Sequence, residues 1–198
     1  MKRLSILILC LFVAMAGKAQ KHEVGVNLGY GKGFQLSNIN NPHYWQGTLN
    51  CVKFDLNYSF IPGKHFAVAT GLYYQGEGSG NSYVNFIGVP IGIDILAGNK
   101  VQGVFGIGFN ITYLAGSSGD GFNTEMENFH SDFQLGIYLE AGLKINLGKH
   151  SGILIKTMFD SDLTPLYWES NPSHSDAVSK SSILYSDVIL SLGYRYRF

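Results

Sequence analysis

Charge is scarce in this chain: Asp, Glu, Lys and Arg make up 14% of its 198 residues, against about 25% in an average soluble protein. What charge there is cancels, 14 basic residues against 14 acidic. No basic surplus exists to hold a phosphate backbone, so nucleic acid is not an expected partner. Cysteine is nearly missing as well. Of Cys10 and Cys51, the first falls in the leader described below, and one remaining thiol cannot build a disulfide scaffold or a thiolate metal cluster. No uncharged apolar stretch of about 18 residues occurs, so no permanent membrane helix is expected. Catalytic signatures are equally thin. His22-Glu23 does not continue into HExxH, and GxSxG does not occur. No cofactor or metal site is expected; Asp160-Ser161-Asp162 has the look of a metal pair but no further ligands beside it.

Glycine and aromatics are what the chain has in quantity: 25 glycines, and 14% Phe, Trp and Tyr. Residues 1–19 read as an export signal. Lys2 and Arg3 begin it, Leu4–Met15 is the apolar run and Ala16–Ala19 the mostly small-residue exit. Cleavage after Ala19, with Gly17 at the minus-three position, leaves Gln20 as the first mature residue. Cys10 follows Leu9 inside the apolar run, which argues against a lipid-anchored cysteine. Residues 20–198 then form one domain, with no internal repeat.

That domain alternates. In Asp187–Phe198 (DVILSLGYRYRF), Val188, Leu190, Leu192, Tyr194, Tyr196 and Phe198 share one face, against Asp187, Ile189, Ser191, Gly193, Arg195 and Arg197. A period of two is a β-strand with chemically opposite faces. Seven more segments read the same way: Glu23–Lys32, Asn50–Phe60, Phe66–Gln75, Tyr83–Leu96, Val101–Tyr113, Asp132–Leu147 and Gly152–Asp162. The last of these is the least regular, because Leu154 and Met158 fall on its polar face. Links Ile61–His65, Ala97–Lys100 and Gly148–Ser151 are short; Gly33–Leu49, Leu114–Ser131 and Leu163–Ser182 are long, and Gly76–Ser82 (GEGSGNS) is intermediate and flexible. Short and long alternate as they do in an up-and-down barrel with tight turns at one rim and surface loops at the other. The expected fold is an all-β, up-and-down antiparallel transmembrane β-barrel of about eight strands.

Two resemblances bear on this. A closing strand with Tyr194, Tyr196 and a final Phe198 resembles the terminal strand of bacterial outer-membrane barrels, which implies that these three residues are the signal read by the barrel-assembly machinery. Phe86-Ile87-Gly88-Val89-Pro90-Ile91, with the corner Asp162-Leu163-Thr164, resembles the PorT-like family of outer-membrane barrels, although Gly88 stands where that family often has an acidic residue. The resemblance implies a place in the outer membrane of a Gram-negative bacterium, among lipid and lipopolysaccharide. It also implies an envelope or secretion protein as partner.

Periodicity alone leaves open which face is inside, since a lipocalin-like soluble barrel would turn its apolar face inward. Lipid outside is favoured by the glycine and charge on the other face, by the terminal Phe, and by aromatics near the strand ends. Tyr58, Phe60, Phe66, Tyr196 and Phe198 lie on the turn side; Tyr30, Tyr74, Tyr113 and Phe133 lie on the loop side. Lys53, Lys144, Lys156, Arg195 and Arg197 then share the lumen with Glu23, Asp55, Asp94, Glu140, Asp160 and Asp187, a near balance that suits a plug of ion pairs. A narrow ion pathway is the rival reading. An enzyme acting on lipid is another, with His130–Ser131 or Ser173–His174 as its pair, but neighbours on one strand point to opposite faces. All six histidines fall at strand ends or in loops, where they read as interfacial or solvated. Tyr44-Trp45 and Tyr167-Trp168, in two long loops with amide neighbours, are contact candidates for a protein or sugar, and equally for loop packing. The expected role is non-enzymatic: structural, or binding a partner.

Overall fold

A computed structural model describes residues 21–38, 48–80, 82–118, 133–170 and 179–198. The expected leader with its expected cleavage site, His43, Tyr44, Trp45, His130, Ser131, Ser173 and His174 lie outside the described residues. Nine strands follow one another: β1 (Lys21–Asn38), β2 (Thr48–Ile61), β3 (Phe66–Ser79), β4 (Ser82–Gly98), β5 (Val101–Ser118), β6 (Phe133–Asn146), β7 (Ser151–Asp162), β8 (Leu166–Ser170) and β9 (Ser179–Arg197). Each of β1 to β7 pairs antiparallel with the next, β7 pairs with β9, and β9 pairs back onto β1. The result is a closed, eight-stranded up-and-down transmembrane barrel with no free edge inside its wall.

The ninth strand departs from the sequence reading. Within the long link expected over Leu163–Ser182, β8 pairs with the start of β9, Leu166↔Ile183 through Ser170↔Ser179. Tyr167 and Trp168 therefore stand on a short strand beside the barrel rather than in an irregular loop. Several strands also run well beyond a bilayer's thickness. β9 has 19 residues and β5 has 18, where about 10 tilted residues cross the hydrocarbon.

Closure sits at the seam of β1 and β9. Register there runs from Glu23↔Arg197 to Asn38↔Ser182, and His22 and Phe198 exchange backbone hydrogen bonds at 3.3 and 3.0 Å. The His22 ring stacks on Phe198 at 5.8 Å and lies 5.5 Å from Phe60. Pro90 lies within the wall: pairing of β3 with β4 runs from Phe66↔Ile95 to Thr70↔Ile91 and resumes at Tyr73↔Gly88. Proline has no amide to give a ladder, so the interruption falls where the chemistry puts it.

The apolar face is outside. Leu28, Leu56, Ile91, Ile107, Leu139, Ile155 and Leu192 are all exposed, with Leu28 at 62%. Such a continuous exposed belt is intolerable in water and suits acyl chains. Tyr30, Tyr74, Tyr113 and Phe133 rim it on the loop side; Tyr58, Phe66, Tyr196 and Phe198 rim it on the turn side. Tyr30 donates its hydroxyl hydrogen to Asn50 at 3.0 Å and Tyr74 to Asn85 at 2.7 Å, so each ring lies in the belt while its hydroxyl meets a polar side chain.

Candidate functional site

The lumen is the part of this barrel where chemistry is concentrated, and its filling follows from the alternation of each strand. Glycine makes the filling feasible. A Cβ on Gly108 would sit 2.6 Å from the Tyr138 ring, and one on Gly106 would sit 2.6 Å from both Asp94 and Glu140. Large inward side chains thus lie across glycines of facing strands, as a barrel of this width requires.

Glu23 is the hub of the turn-side half. Its carboxylate accepts from Lys144 Nζ at 3.2 Å and Arg197 Nη2 at 3.0 Å, with Arg195 Nε at 3.9 Å. Lys156 donates to Glu140 at 2.7 Å. Arg195 also donates to Asn57 at 3.0 Å, and Asn27 donates to Asp55 at 3.1 Å and to Asn57. Asp94 is buried beside Glu140, Lys156, Lys144 and Arg195. Four carboxyl groups (Glu23, Asp55, Asp94, Glu140) therefore meet four cations (Lys144, Lys156, Arg195, Arg197) in this half. Glu23 and Glu140 take all four cations between them, which is what allows those charges to be buried, whereas Asp94 Oδ1 has no hydrogen-bond partner.

Below that network the lumen is closed by grease. Ile61, Ala67, Leu96, Val104 and Leu154 form one buried apolar cluster at the turn rim. A second cluster, Cys51, Tyr138, Met158 and Ile189, occupies the middle. Leu154, Met158 and Ile189, which break the polar pattern of their strands in the sequence, are therefore interior packing residues. Their signal was visible as three misfits, but nothing in the sequence said the misfits would meet.

The loop-side half is different. Lys53 lies 3.5 Å from Asp160 and 3.8 Å above the centre of the Tyr73 ring. Asn110 donates to Asp160 at 2.6 Å, and Tyr73 and Thr112 share a hydroxyl hydrogen bond of 2.6 Å. Above them Gln75 donates through Nε2 to Glu77 at 2.8 Å and to Asp187 at 2.7 Å. Asp162 accepts from Gln134 at 2.7 Å and from the backbone amide of Tyr185 at 2.9 Å. Here four carboxyl groups (Glu77, Asp160, Asp162, Asp187) face one cation, Lys53, among the described residues. The near balance expected of the whole lumen is thus local to the turn side. Glu77 and Asp162 were missing from that tally, and Glu77 in particular lies beyond the segment read as strand three, in residues taken for a flexible glycine link.

The histidines at the turn rim have structural partners. His22 Nδ1 lies 2.7 Å from the Tyr58 hydroxyl, His65 Nδ1 3.3 Å from the Leu96 carbonyl and His150 Nδ1 2.8 Å from the Arg197 carbonyl. Tyr194, Tyr196 and Phe198 point outward into the belt.

Comparison with known proteins places the architecture. No family model matches the chain, and no curated protein does either. Solved structures do. Outer membrane protein OprG from Pseudomonas aeruginosa superposes with a TM-score of 0.63 at 12% identity, over 93% of this chain and 98% of that one. The outer membrane protein AlkL, solved in DMPC bilayers, gives 0.60 at 13% identity over 92% of each chain. Neisserial surface protein A gives 0.52 at 13% identity, over 91% of this chain and all of its own. At such identities the likeness is one of fold: this chain has the fold of the small outer-membrane β-barrels.

Proposed function

We propose that the chain is an integral protein of a Gram-negative outer membrane, exported by residues 1–19 and delivered by the assembly machinery through Tyr194, Tyr196 and Phe198. Its barrel is a rigid, non-enzymatic frame, and its work is done by the segments that the frame holds at the outer rim, with an envelope or secretion protein as partner, in the manner of the PorT-like barrels. The observation that carries this reading is the filled lumen. Paired charges occupy the turn-side half and an apolar layer of Ile61, Ala67, Leu96, Val104 and Leu154 closes that rim. The cavity that remains on that side is about 50 Å³, room for a few waters rather than a solute in transit. A barrel with a blocked interior acts through its surfaces.

Three measurements test it. Reconstituted protein should give no steady single-channel current in planar bilayers; regular conductance steps would replace the frame with a pore. Cross-linking in intact envelopes through Tyr44, Trp45, Tyr167 and Trp168, replaced one at a time by a photoreactive residue, should capture one discrete protein. Exchanging His130 or His174 for Ala should leave lipid A unchanged; an altered lipid A would make the protein a lipid-modifying enzyme.

A further inference from the structure

The turn-side rim carries exposed charge of one sign. Lys21 stands at the seam where β1 meets β9, and Lys64, Lys100 and Lys149 stand one in each tight turn. All four are exposed, and none is ion-paired among the described residues. The acids of that half, Glu23, Asp94 and Glu140, turn into the lumen instead. The long links that join the strands at the other rim have the opposite composition. Residues 33–49, 114–131 and 163–182 contain Asp120, Glu125, Glu127, Glu169 and Asp176 against Lys180. A net charge of zero thus conceals a polarity along the barrel axis.

The basic rim is evenly spread and firmly held. In the closed strand order the lysines fall at every second gap between neighbours, so they surround the barrel rather than gather on one side. Backbone hydrogen bonds join each turn to the next. The Leu96 amide donates to the His65 carbonyl at 2.8 Å, the Asn146 amide to the Lys100 carbonyl at 2.8 Å and the Arg197 amide to the His150 carbonyl at 2.7 Å, while Lys21 pairs with Ile61 on the last rung of β1 and β2. Phe66, Val101 and Leu147, one or two residues from Lys64, Lys100 and Lys149, are exposed at the edge of the lipid-facing belt. A lysine in that position lays its methylenes along apolar surface and keeps its ammonium at headgroup level. We propose that Lys21, Lys64, Lys100 and Lys149 form a ring that selects anionic glycerophospholipids, of the phosphatidylglycerol kind, from the leaflet at the turn rim. A docked protein would call for a patch on one side; four separate ammonium groups around the perimeter, at phosphate height, match an annulus of lipid. This inference rests on the lipid-facing belt and stands whether or not the outer rim binds the proposed partner.

Full-length mature protein in phosphatidylcholine vesicles, with a trace of spin-labelled phosphatidylglycerol or spin-labelled phosphatidylcholine, provides the test. The fraction of label immobilised at the barrel surface should favour phosphatidylglycerol, by up to about fivefold at each lysine. That preference should fade in about 1 M salt, where the screening length falls to about 3 Å. The quadruple variant Lys21→Gln, Lys64→Gln, Lys100→Gln, Lys149→Gln should lose it, the corresponding four Lys→Arg changes should keep it, and Lys32→Gln with Lys180→Gln should leave most of it. The four positions are exposed, so these variants should fold, as judged by the heat-dependent shift in gel mobility. Three results would overturn the proposal: equal immobilisation of both lipids by folded wild type; a preference that survives the quadruple Gln variant; or equal immobilisation together with capture of one periplasmic protein by amine-reactive cross-linking at these lysines, which would give the rim to a protein. An absence of immobilised lipid with either label would instead overturn the lipid-facing belt, and this proposal with it.

Discussion

The two halves of the lumen solve the same problem in different ways. On the turn side, Glu23 gathers Lys144, Arg197 and Arg195 around one carboxylate, Lys156 has Glu140, and an apolar layer beneath excludes water. On the loop side the carboxyl groups of Glu77, Asp160, Asp162 and Asp187 outnumber the cations among the described residues, where Lys53 stands alone, and amides do much of the hydrogen bonding. Asp160 and Asp187 even stand directly opposite each other on β7 and β9, an arrangement that sheets disfavour. One half is a plug of paired charges. The other holds more buried carboxyl groups than cations among the described residues, and amides rather than ion pairs carry its contacts.

The sharpest way to break this contrast is at its hub. Glu23→Gln removes the negative charge from beneath two arginines and a lysine while keeping the side chain's shape. Leaving buried cations without their partner should destabilise the barrel by about 3 to 5 kcal/mol, read as a lowered urea midpoint in detergent or vesicles. A loss below 1 kcal/mol would mean that water, rather than Glu23, solvates these cations. Next in size is Leu154→Ala in the layer beneath. Emptying part of a buried leucine's volume should cost about 2 to 5 kcal/mol; a cost near zero would mean that the layer is loosely packed and closes nothing. Gly108→Ala probes the glycine–tyrosine packing between the halves. Its new methyl group would press on Tyr138 and on the Ile91 carbonyl, and should cost about 1 to 3 kcal/mol. Replacing Tyr138 with Phe in the same chain would recover little, because the crowding involves ring carbons as well as the hydroxyl.

Most of the frame could be read from residue order. Alternation in DVILSLGYRYRF and in seven other segments set which side chains share a face, because a two-residue period is local; glycine and charge on one face and aromatics near the strand ends set which face meets lipid, and the alternation of short with long links set the topology. The strand ends were not legible. Gly76, Glu77 and Gly78 read as a flexible link by composition, yet they extend β3 beside β2, Cys51↔Glu77, since a ladder already formed lowers the cost of adding glycine to it. β8 was hidden for a related reason: Leu166–Ser170 gains its strand character from pairing with β9, not from its own pattern. Nor could sequence say how the interior charges sort themselves. Glu23 and Lys144 are 121 positions apart, and Gln75 and Asp187 are 112 apart. Only closure of the barrel and the register of its strands bring such pairs together.

The same chemical change made at the opposite end of the lumen sharpens the comparison most, although its effect is the smallest. Glu77→Gln also trades a buried carboxylate for an amide, but on the side where negative charge is in excess. It removes repulsion from Asp187 and leaves Lys53, which is held by Asp160, undisturbed. A hydrogen bond from the new amide to the Asp187 carboxyl replaces a contact between two acids, and a hydrogen bond is worth about 0.5 to 1.5 kcal/mol net. Stability should therefore rise by about that much, where Glu23→Gln lowers it. The sign is the result that matters. If Glu77→Gln is as damaging as Glu23→Gln, the loop-side carboxylates are already neutralised from within the chain and the two halves are not different in kind.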